Sequence, residues 1–416
     1  MNRMNMRIGF LFLVLSLVAC GSDESPANFS ADTGRDFGAD LSVLSDAGMD
    51  AQADAADAAD VEVLPPQPWS VMEPGYYRVG YRSGFEVTYD AVGEPGRTFE
   101  FVVWYPTLDK DGLEAKYYNV FRRPGVQRDA SLAITEPAPI LIFSHGNSSF
   151  AEQSYYMTEF FASHGFVVVA LNHTGNTFKD TQGAIDLTSG AFRPQDITAL
   201  LDRLESWPAD DVLKPVISDK IVLSGHSFGG YTTLASSGAG FDVDYAEAYC
   251  GMHPDEDFCE ILAADGVGDL FRGGLGDDRI KVAIPQAPGG FLVFQDKVSE
   301  IKIPTMLMTS LLDQTLPAVE EGDPIWNAME GPHMRVDLLR GGHFTYSNMC
   351  ELFGAAVLDD GCSDQFVPFL TASQIIDAYS LAFARKHLLG DTSNDALLDG
   401  TDQPWPTEVG LDWKTQ

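Results

Sequence analysis

A mostly parallel β-sheet with helices on both faces is the fold class this sequence predicts, and three observations predict it. From residue 139 onward, short continuous apolar runs alternate with segments of helical spacing. The runs lack the polar alternation of a strand with one wet face, so they read as strands covered on both sides. One of them, Ile221-Val222-Leu223, leads into the Gly-rich turn Gly225-His226-Ser227-Phe228-Gly229-Gly230, and a small-residue helix follows. Strand and helix in alternation build parallel sheets with helical layers.

Taken in order, Phe85 to Tyr89 and Phe99 to Tyr105 read as strands, and the turn Val92-Gly93-Glu94-Pro95-Gly96 between them suggests a hairpin. Pro139 to Ser144 is a buried strand, Ala151 to His164 a helix, and Phe166 to Leu171 another strand. Ile197 to Trp207 is a helix with Leu200, Leu201 and Leu204 on one face. Lys220 to Leu223, Ile280 to Pro285, Pro304 to Thr309 and Met334 to Leu339 are further strands, and Ile375 to Leu389 is a closing helix. Residues 241–279 break the rhythm with several glycines and acids. They form a small insertion after the helix at Ser227, either a lid or substrate wall or a decorated surface loop.

The N-terminal residues carry a different message. Arg3 and Arg7 precede an apolar run from Ile8 to Ala19, too short to span a bilayer and typical of a signal sequence. It ends in Leu17-Val18-Ala19-Cys20-Gly21, which resembles a bacterial lipobox, so residues 1–20 are expected to direct export and Cys20 to carry lipid. An ordinary secretory signal is the alternative. Residues 21–67 are a disordered acidic linker: eleven acids against one arginine between 21 and 66, an Asp/Ala tract at 50–60, and few large side chains to offset the entropy of ordering. The catalytic domain is expected over 68–416. Gly21 and Ser22 lack the Asp that retains lipoproteins at an inner membrane, which suggests an outer-membrane or surface location.

A formal charge of −35 repels nucleic acid and argues against a polyanionic partner. Beyond Cys20, four cysteines remain, Cys250, Cys259, Cys350 and Cys362, in a compartment that permits disulfides. Four allow three pairings. Cys250–Cys259 and Cys350–Cys362 are favoured because each closes a short polar loop. A metal site is the rival reading, but the spacings match no common zinc pattern.

The chemistry centres on Ser227. A strained strand-to-helix turn pushes a serine hydroxyl outward, and glycine is needed where the strand and helix crowd that turn. An alcohol needs a base. His343, late in the chain in Gly341-Gly342-His343-Phe344, follows a strand and is the candidate. His145, His173, His253 and His333 are weaker, His164 and His387 lie on helices, and His226 points away from the reaction inside the turn. The imidazole needs an acid to fix its tautomer. Asp313, just past the strand Pro304 to Thr309, is preferred over Asp296, Glu320 and Asp337. The order Ser227, Asp313, His343 is that of the α/β-hydrolase fold. For the oxyanion, the backbone N–H of Phe228 and that of Asn147, in Ser144-His145-Gly146-Asn147, are the expected donors.

Together these residues resemble the platelet-activating-factor acetylhydrolases and the bacterial proteins called predicted dienelactone hydrolases. The resemblance rests on Val103-Trp104-Tyr105-Pro106, Phe143-Ser144-His145-Gly146-Asn147, Arg193-Pro194-x-Asp196, the turn around Ser227, and Asn172-His173-Thr174-Gly175-Asn176-Thr177, over residues 75 to 390. It implies hydrolysis of short or oxidised acyl esters, or of lipid-like and aromatic esters, with Ser227, Asp313 and His343 as triad and Asn147 and Phe228 as oxyanion donors. A dienelactone hydrolase commonly uses Cys as nucleophile, where this chain has Ser. The expectation is an exported, lipid-anchored monomer acting on a small-molecule or lipid-like ester, with no cofactor. The same machinery also fits a polyester depolymerase, a peptidase or an acyltransferase, and an inactive surface-tethered binder is the non-enzymatic alternative. Phe150, Tyr155 and Tyr156, just past the oxyanion loop, either line a cleft or pack the following helix.

Overall fold

The computed structural model describes residues 68–180, 189–254, 259, 262–263, 266–355 and 358–415. The signal-like segment, Cys20 and the acidic linker lie outside them. A single eleven-stranded sheet organises the described chain, in the order β11-β10-β9-β8-β7-β5-β6-β2-β1-β4-β3. Its middle is parallel: β5 (Ile140–Ser144), β6 (Val167–Asn172), β7 (Ile221–His226), β8 (Ile280–Gln286), β9 (Thr305–Ser310) and β10 (His333–Leu338).

Most positions in these strands are buried because both faces of the sheet are covered. In β5, Ile140 and Ile142 join one core and Leu141 and Phe143 the other. The first core packs against α2 (Ser189–Glu205) through Ile197, Leu200, Leu201 and Leu204. The second packs against α1 (Tyr155–Ser163) through Met157 and Phe161, and against α6 (Phe369–Ala384) through Ile375, Ile376 and Tyr379.

The expected hairpin is present and longer than the apolar pattern indicates. β1 (Arg78–Ala91) and β2 (Glu94–Thr107) pair antiparallel from Arg78↔Thr107 to Ala91↔Glu94. Three strands were not anticipated. β3 (Leu113–Tyr117) and β4 (Phe121–Arg128) form a second hairpin, and β11 (Val409–Lys414) closes the far edge against β10. α2 also begins eight residues before the predicted Ile197 and contains Pro194. Proline removes the N–H that would bond the carbonyl four residues back. That carbonyl, of Gly190, instead accepts from the Tyr231 hydroxyl at 3.0 Å.

The insertion is not a detached loop. α3 (Phe228–Ser236) is followed by α4 (Val243–Met252) and α5 (Val267–Gly273), whose Phe271 stacks on Phe241 at 4.6 Å. Phe241 in turn meets Phe294, and Phe294 stacks on Tyr231 of α3 at 5.1 Å. Cys250–Cys259 and Cys350–Cys362 are both bonded, as the short-loop argument expects.

The winding of the sheet fixes where a site can form. β5 lies between β6 and β7, so the chain moves one way to β6 over α1 and returns past β5 to β7 over α2. Loops leaving β5 and β7 therefore diverge to opposite faces, and a crevice opens at their carboxyl ends. The segments 144–149 and 226–228 occupy that crevice.

Candidate active site

Ser227 sits between β7 and α3 with φ 59° and ψ −117°, a conformation a non-glycine residue rarely adopts and which costs about 1–3 kcal/mol. The flanking glycines make it possible. A Cβ on Gly229 would lie 1.9 Å from the Ser144 carbonyl oxygen, and one on Gly225 would lie 2.4 Å from that of Gly229. The Ser227 amide donates to the Gln286 carbonyl at 2.9 Å, which ties the turn to the end of β8.

The structure brings the three predicted side chains together. Ser227 Oγ is 2.9 Å from His343 Nε2, and His343 Nδ1 is 2.8 Å from Asp313 Oδ2. A carboxylate only accepts, so Nδ1 carries the proton and Nε2 is left to accept from the serine hydroxyl. The other Asp313 oxygen accepts from the amides of Thr315 (2.9 Å) and Leu316 (2.7 Å), which sets the carboxylate plane. His343 and Asp313 are buried and Ser227 is half-buried.

The rival residues are engaged elsewhere. Asp337 is ion-paired with Arg335, while Asp296 and Glu320 are exposed. His333 bonds the Glu330 carbonyl, His164 the Glu73 carbonyl and the Arg385 guanidinium, and His253 stacks on Tyr249. Among the described residues, His343 is the side chain bonded to Ser227 Oγ.

Phe228 opens α3, and Asn147 lies in the turn after β5. Among the described residues, neither amide donates to a protein acceptor. The turn carrying Asn147 is held from beneath by Arg193 of α2, which is fully buried. Its guanidinium donates to the carbonyls of His145 (2.6 Å) and Gly146 (3.0 Å) and to Asn176 Oδ1 (2.6 Å), and it stacks 4.6 Å from the Phe228 ring. Burial pushes this arginine down to about 9. Asn176 Nδ2 then donates to Asn147 Oδ1 at 2.8 Å. One turn along α2, Asp196 accepts from Arg97, from the Tyr89 hydroxyl and from His173 Nδ1 (2.9 Å). The sequence segments 172–177 and 193–196 thus converge under one loop.

His226, read from the sequence as structural, has a defined duty. Its Nε2 donates to the His343 carbonyl at 2.8 Å, and its Nδ1 accepts from Gln153 Nε2 at 2.9 Å. Gln153 Oε1 accepts the Gly146 amide at 2.7 Å. Burial, with His343 alongside, holds His226 well below the ordinary histidine range, so it is neutral. This chain of bonds joins the turn carrying Asn147 to the loop carrying His343. Sequence reading missed Gln153, and it missed Asp360, whose carboxylate accepts the His343 amide at 2.9 Å. Phe150, Tyr155 and Tyr156 pack rather than line a cleft. Phe150 lies against Tyr118 and Phe121, Tyr155 against Tyr117, and Tyr156 against Phe369.

The sheet order, the turn at Ser227, and the placement of Asp313 and His343 after β9 and β10 match a known architecture. The fold is that of the α/β hydrolases. Among solved structures, the chain is similar to a ferulic acid esterase from Streptomyces cinnamoneus, with a TM-score of 0.58 over 83% of this chain and 98% of that one. Their sequences are 19% identical, a likeness of α/β-hydrolase fold alone. Residues 112–185 match the family described as platelet-activating factor acetylhydrolase, isoform II. The matched span holds β3 to β6 and the turn carrying Asn147, and stops short of Ser227, Asp313 and His343. It is narrower than the range over which the sequence motifs suggest a resemblance. No curated protein sequence matches the chain.

Proposed function

We propose that this α/β hydrolase is a serine carboxylic ester hydrolase. The observation that carries the reading is the relay Asp313–His343–Ser227 on its strained turn, with the amides of Asn147 and Phe228 lacking a protein acceptor among the described residues. In the proposed reaction His343 Nε2 takes the Ser227 proton as Oγ attacks the ester carbonyl carbon. The tetrahedral oxyanion is held by the amides of Asn147 and Phe228, each such donor being worth roughly 10²–10³ in rate. The intermediate collapses, the alkoxide leaves with the proton from His343, and an acyl-enzyme remains. Water, deprotonated by His343, attacks the acyl carbon, and Ser227 regains its proton as the acid departs. These steps call on no metal or organic cofactor.

The family match over 112–185 and the esterase neighbour support an ester as substrate. The resemblance favours short-chain, lipid-like or aromatic acyl esters over peptides. A fluorophosphonate probe should label the wild type and spare Ser227→Ala, and a nitrophenyl ester should be turned over by the first alone. Equal labelling of both would remove the assignment, and absent turnover with intact labelling would favour another acceptor or bond. The proposal extends to location: Leu17 to Gly21 supports an exported lipoprotein anchored at Cys20, outside the described residues. Metabolic labelling with a tagged fatty acid should mark the wild type and leave Cys20→Ser unmarked.

A further inference from the structure

The base loop and the acid loop come from different strands, and one side chain outside the triad holds both. Asp360 lies in a segment that returns beneath the two loops. Its Oδ1 accepts the His343 amide at 2.9 Å. Its Oδ2 accepts the amides of Gln314 (2.9 Å) and Thr315 (2.8 Å) and the Thr315 hydroxyl (2.8 Å). Its own carbonyl accepts the Phe344 amide at 2.9 Å. One carboxylate therefore bridges the residue that carries the base and the two residues that follow the acid. Charge-assisted bonds of this kind are about twice as strong as neutral ones.

The Asp360 segment is itself pinned. Cys362, two residues on, is bonded to Cys350, which lies on the short helix that follows the base loop. The backbone of Gly361 presses against Gly342, where a Cβ would approach the Gly361 nitrogen to 2.4 Å. Gly361 has φ 109°, which only glycine takes without strain. The other disulfide, Cys250–Cys259, is in the insertion and touches neither loop.

We propose that Asp360 is a positioning residue for the ester hydrolysis inferred above, and that the Cys350–Cys362 bond holds it in register. Asp360 touches no reacting atom. It sets the separation and angle between His343 and Asp313, so its removal misaligns the imidazole and slows chemistry more than it weakens substrate binding. The carboxylate is also required as such. An amide in its place has one acceptor oxygen for four donors on two loops, and its NH₂ would face N–H groups.

The test compares Asp360→Asn, Cys350→Ser/Cys362→Ser and the control pair Cys250→Ser/Cys259→Ser. Each is measured by thermal melting, by kcat and KM on a nitrophenyl ester across pH, and by proton NMR of the downfield imidazole N–H shared by His343 and Asp313. A misplacement of about 1 Å at a reacting centre costs about 100-fold, so Asp360→Asn should lose roughly 10–100-fold in kcat. KM should stay within about twofold, since substrate contacts are untouched. The acid limb of the pH profile should move, and the downfield resonance should broaden or vanish. The Cys350/Cys362 variant should follow in the same direction by about threefold to tenfold, while the control pair keeps the wild-type resonance and rate. An unchanged resonance, pH profile and kcat in folded Asp360→Asn would overturn the proposal. The resonance is read without turnover. If the wild type hydrolyses no ester yet Asp360→Asn abolishes the resonance, the esterase reading fails and the positioning role of Asp360 stands.

Discussion

Two Ser–His–Asp relays stand about one strand apart in this molecule, and their contacts are almost the same. In the first, Ser227 Oγ lies 2.9 Å from His343 Nε2, and His343 Nδ1 lies 2.8 Å from Asp313. In the second, Ser144 Oγ lies 2.9 Å from His173 Nε2, and His173 Nδ1 lies 2.9 Å from Asp196. By the same donor argument both imidazoles carry the proton on Nδ1. The differences lie in everything around them. Ser144 is inside β5 and fully buried, whereas Ser227 is lifted out by its turn. Asp196 is already neutralised by Arg97, and Arg193 approaches Ser144 itself. Burial, with Arg193 and Arg97 nearby, holds His173 well below the ordinary range, which favours its neutral form. Hydrogen-bond geometry alone does not make a nucleophile. Access is also needed, and of the two serines it is Ser227 that its turn lifts out of the strand, while Ser144 stays buried within β5. On the function proposed above, the second relay braces the turn that carries Asn147, since the His173 amide donates to His145 Nε2 at 3.2 Å.

The sharpest way to break this comparison is to remove each hydroxyl. Ser227→Ala should lower ester turnover by about 10⁴-fold or more and abolish fluorophosphonate labelling. Ser144→Ala should keep labelling and stay within about tenfold in turnover. It should instead cost about 1–3 kcal/mol of stability in urea unfolding, because His173 Nε2 is left buried without its donor. Loss of labelling in folded Ser144→Ala would mean that the assignment of roles is reversed or shared.

The open relay was more legible in the sequence than the closed one, and the reason is physical. Ser227 announces itself because its turn demands glycines at fixed offsets after an apolar strand. Asp313 and His343 follow from chain order once β9 and β10 are read as strands. The closed relay was visible only as unexplained motifs at 172–177 and 193–196, because partners brought together by α2 leave no spacing pattern. Asp360 was invisible for a further reason. It bonds backbone amides, which every residue offers, and it is one acid among 61. In the fold, β5, β6 and β7 were readable because continuous apolar runs mark covered strands. β4 was not. Phe121-Arg122-Arg123-Pro124-Gly125 has charge, proline and glycine where a strand is normally apolar, and it pairs only because it lies at the sheet's edge region. α2 begins earlier than Ile197, and the Tyr231 hydroxyl takes up the Gly190 carbonyl that Pro194 leaves free.

Removing each acid should separate catalysis from stability. Asp313→Asn leaves the loop shape but sets the wrong imidazole tautomer, and kcat should fall about 10⁴-fold with folding stability within about 1 kcal/mol. Asp196→Ala strips the partner from the buried Arg97 and from His173, and should cost about 3–5 kcal/mol in chemical denaturation. Comparable stability losses in both variants would show that the first relay is as structural as the second.

The link between the relays is Arg193, so it is the place to test whether the second one serves the first. Arg193→Lys keeps a charge and loses the planar fork that reaches the His145 and Gly146 carbonyls and Asn176 together. The turn carrying Asn147 should loosen, lowering kcat by roughly 10–100-fold with KM nearly unchanged. An equal rise in KM and fall in kcat/KM, with kcat intact, would place Arg193 in substrate binding instead.

The smallest effect concerns how the two relays tolerate charge around them. Asp196 has Arg97 against it, but Glu321, which follows the acid loop of the open relay, has no cation paired with it among the described residues. It accepts the Phe291 amide at 2.9 Å, and burial, with Glu320 adjacent, raises it to about 7. An unfolded chain releases this proton near 4.5, so between there and 7 the folded state holds more protons than the unfolded one. The contribution is therefore complete below about pH 4.5 and is lost as pH rises through 7. Glu321→Gln retains an acceptor for Phe291 and cannot ionise. Urea unfolding at pH 5 and pH 8 should show the wild type losing stability relative to this variant at the higher pH. A constant difference between the two across that range would mean that the carboxyl is ionised throughout, and that the open relay is as well compensated in charge as the closed one.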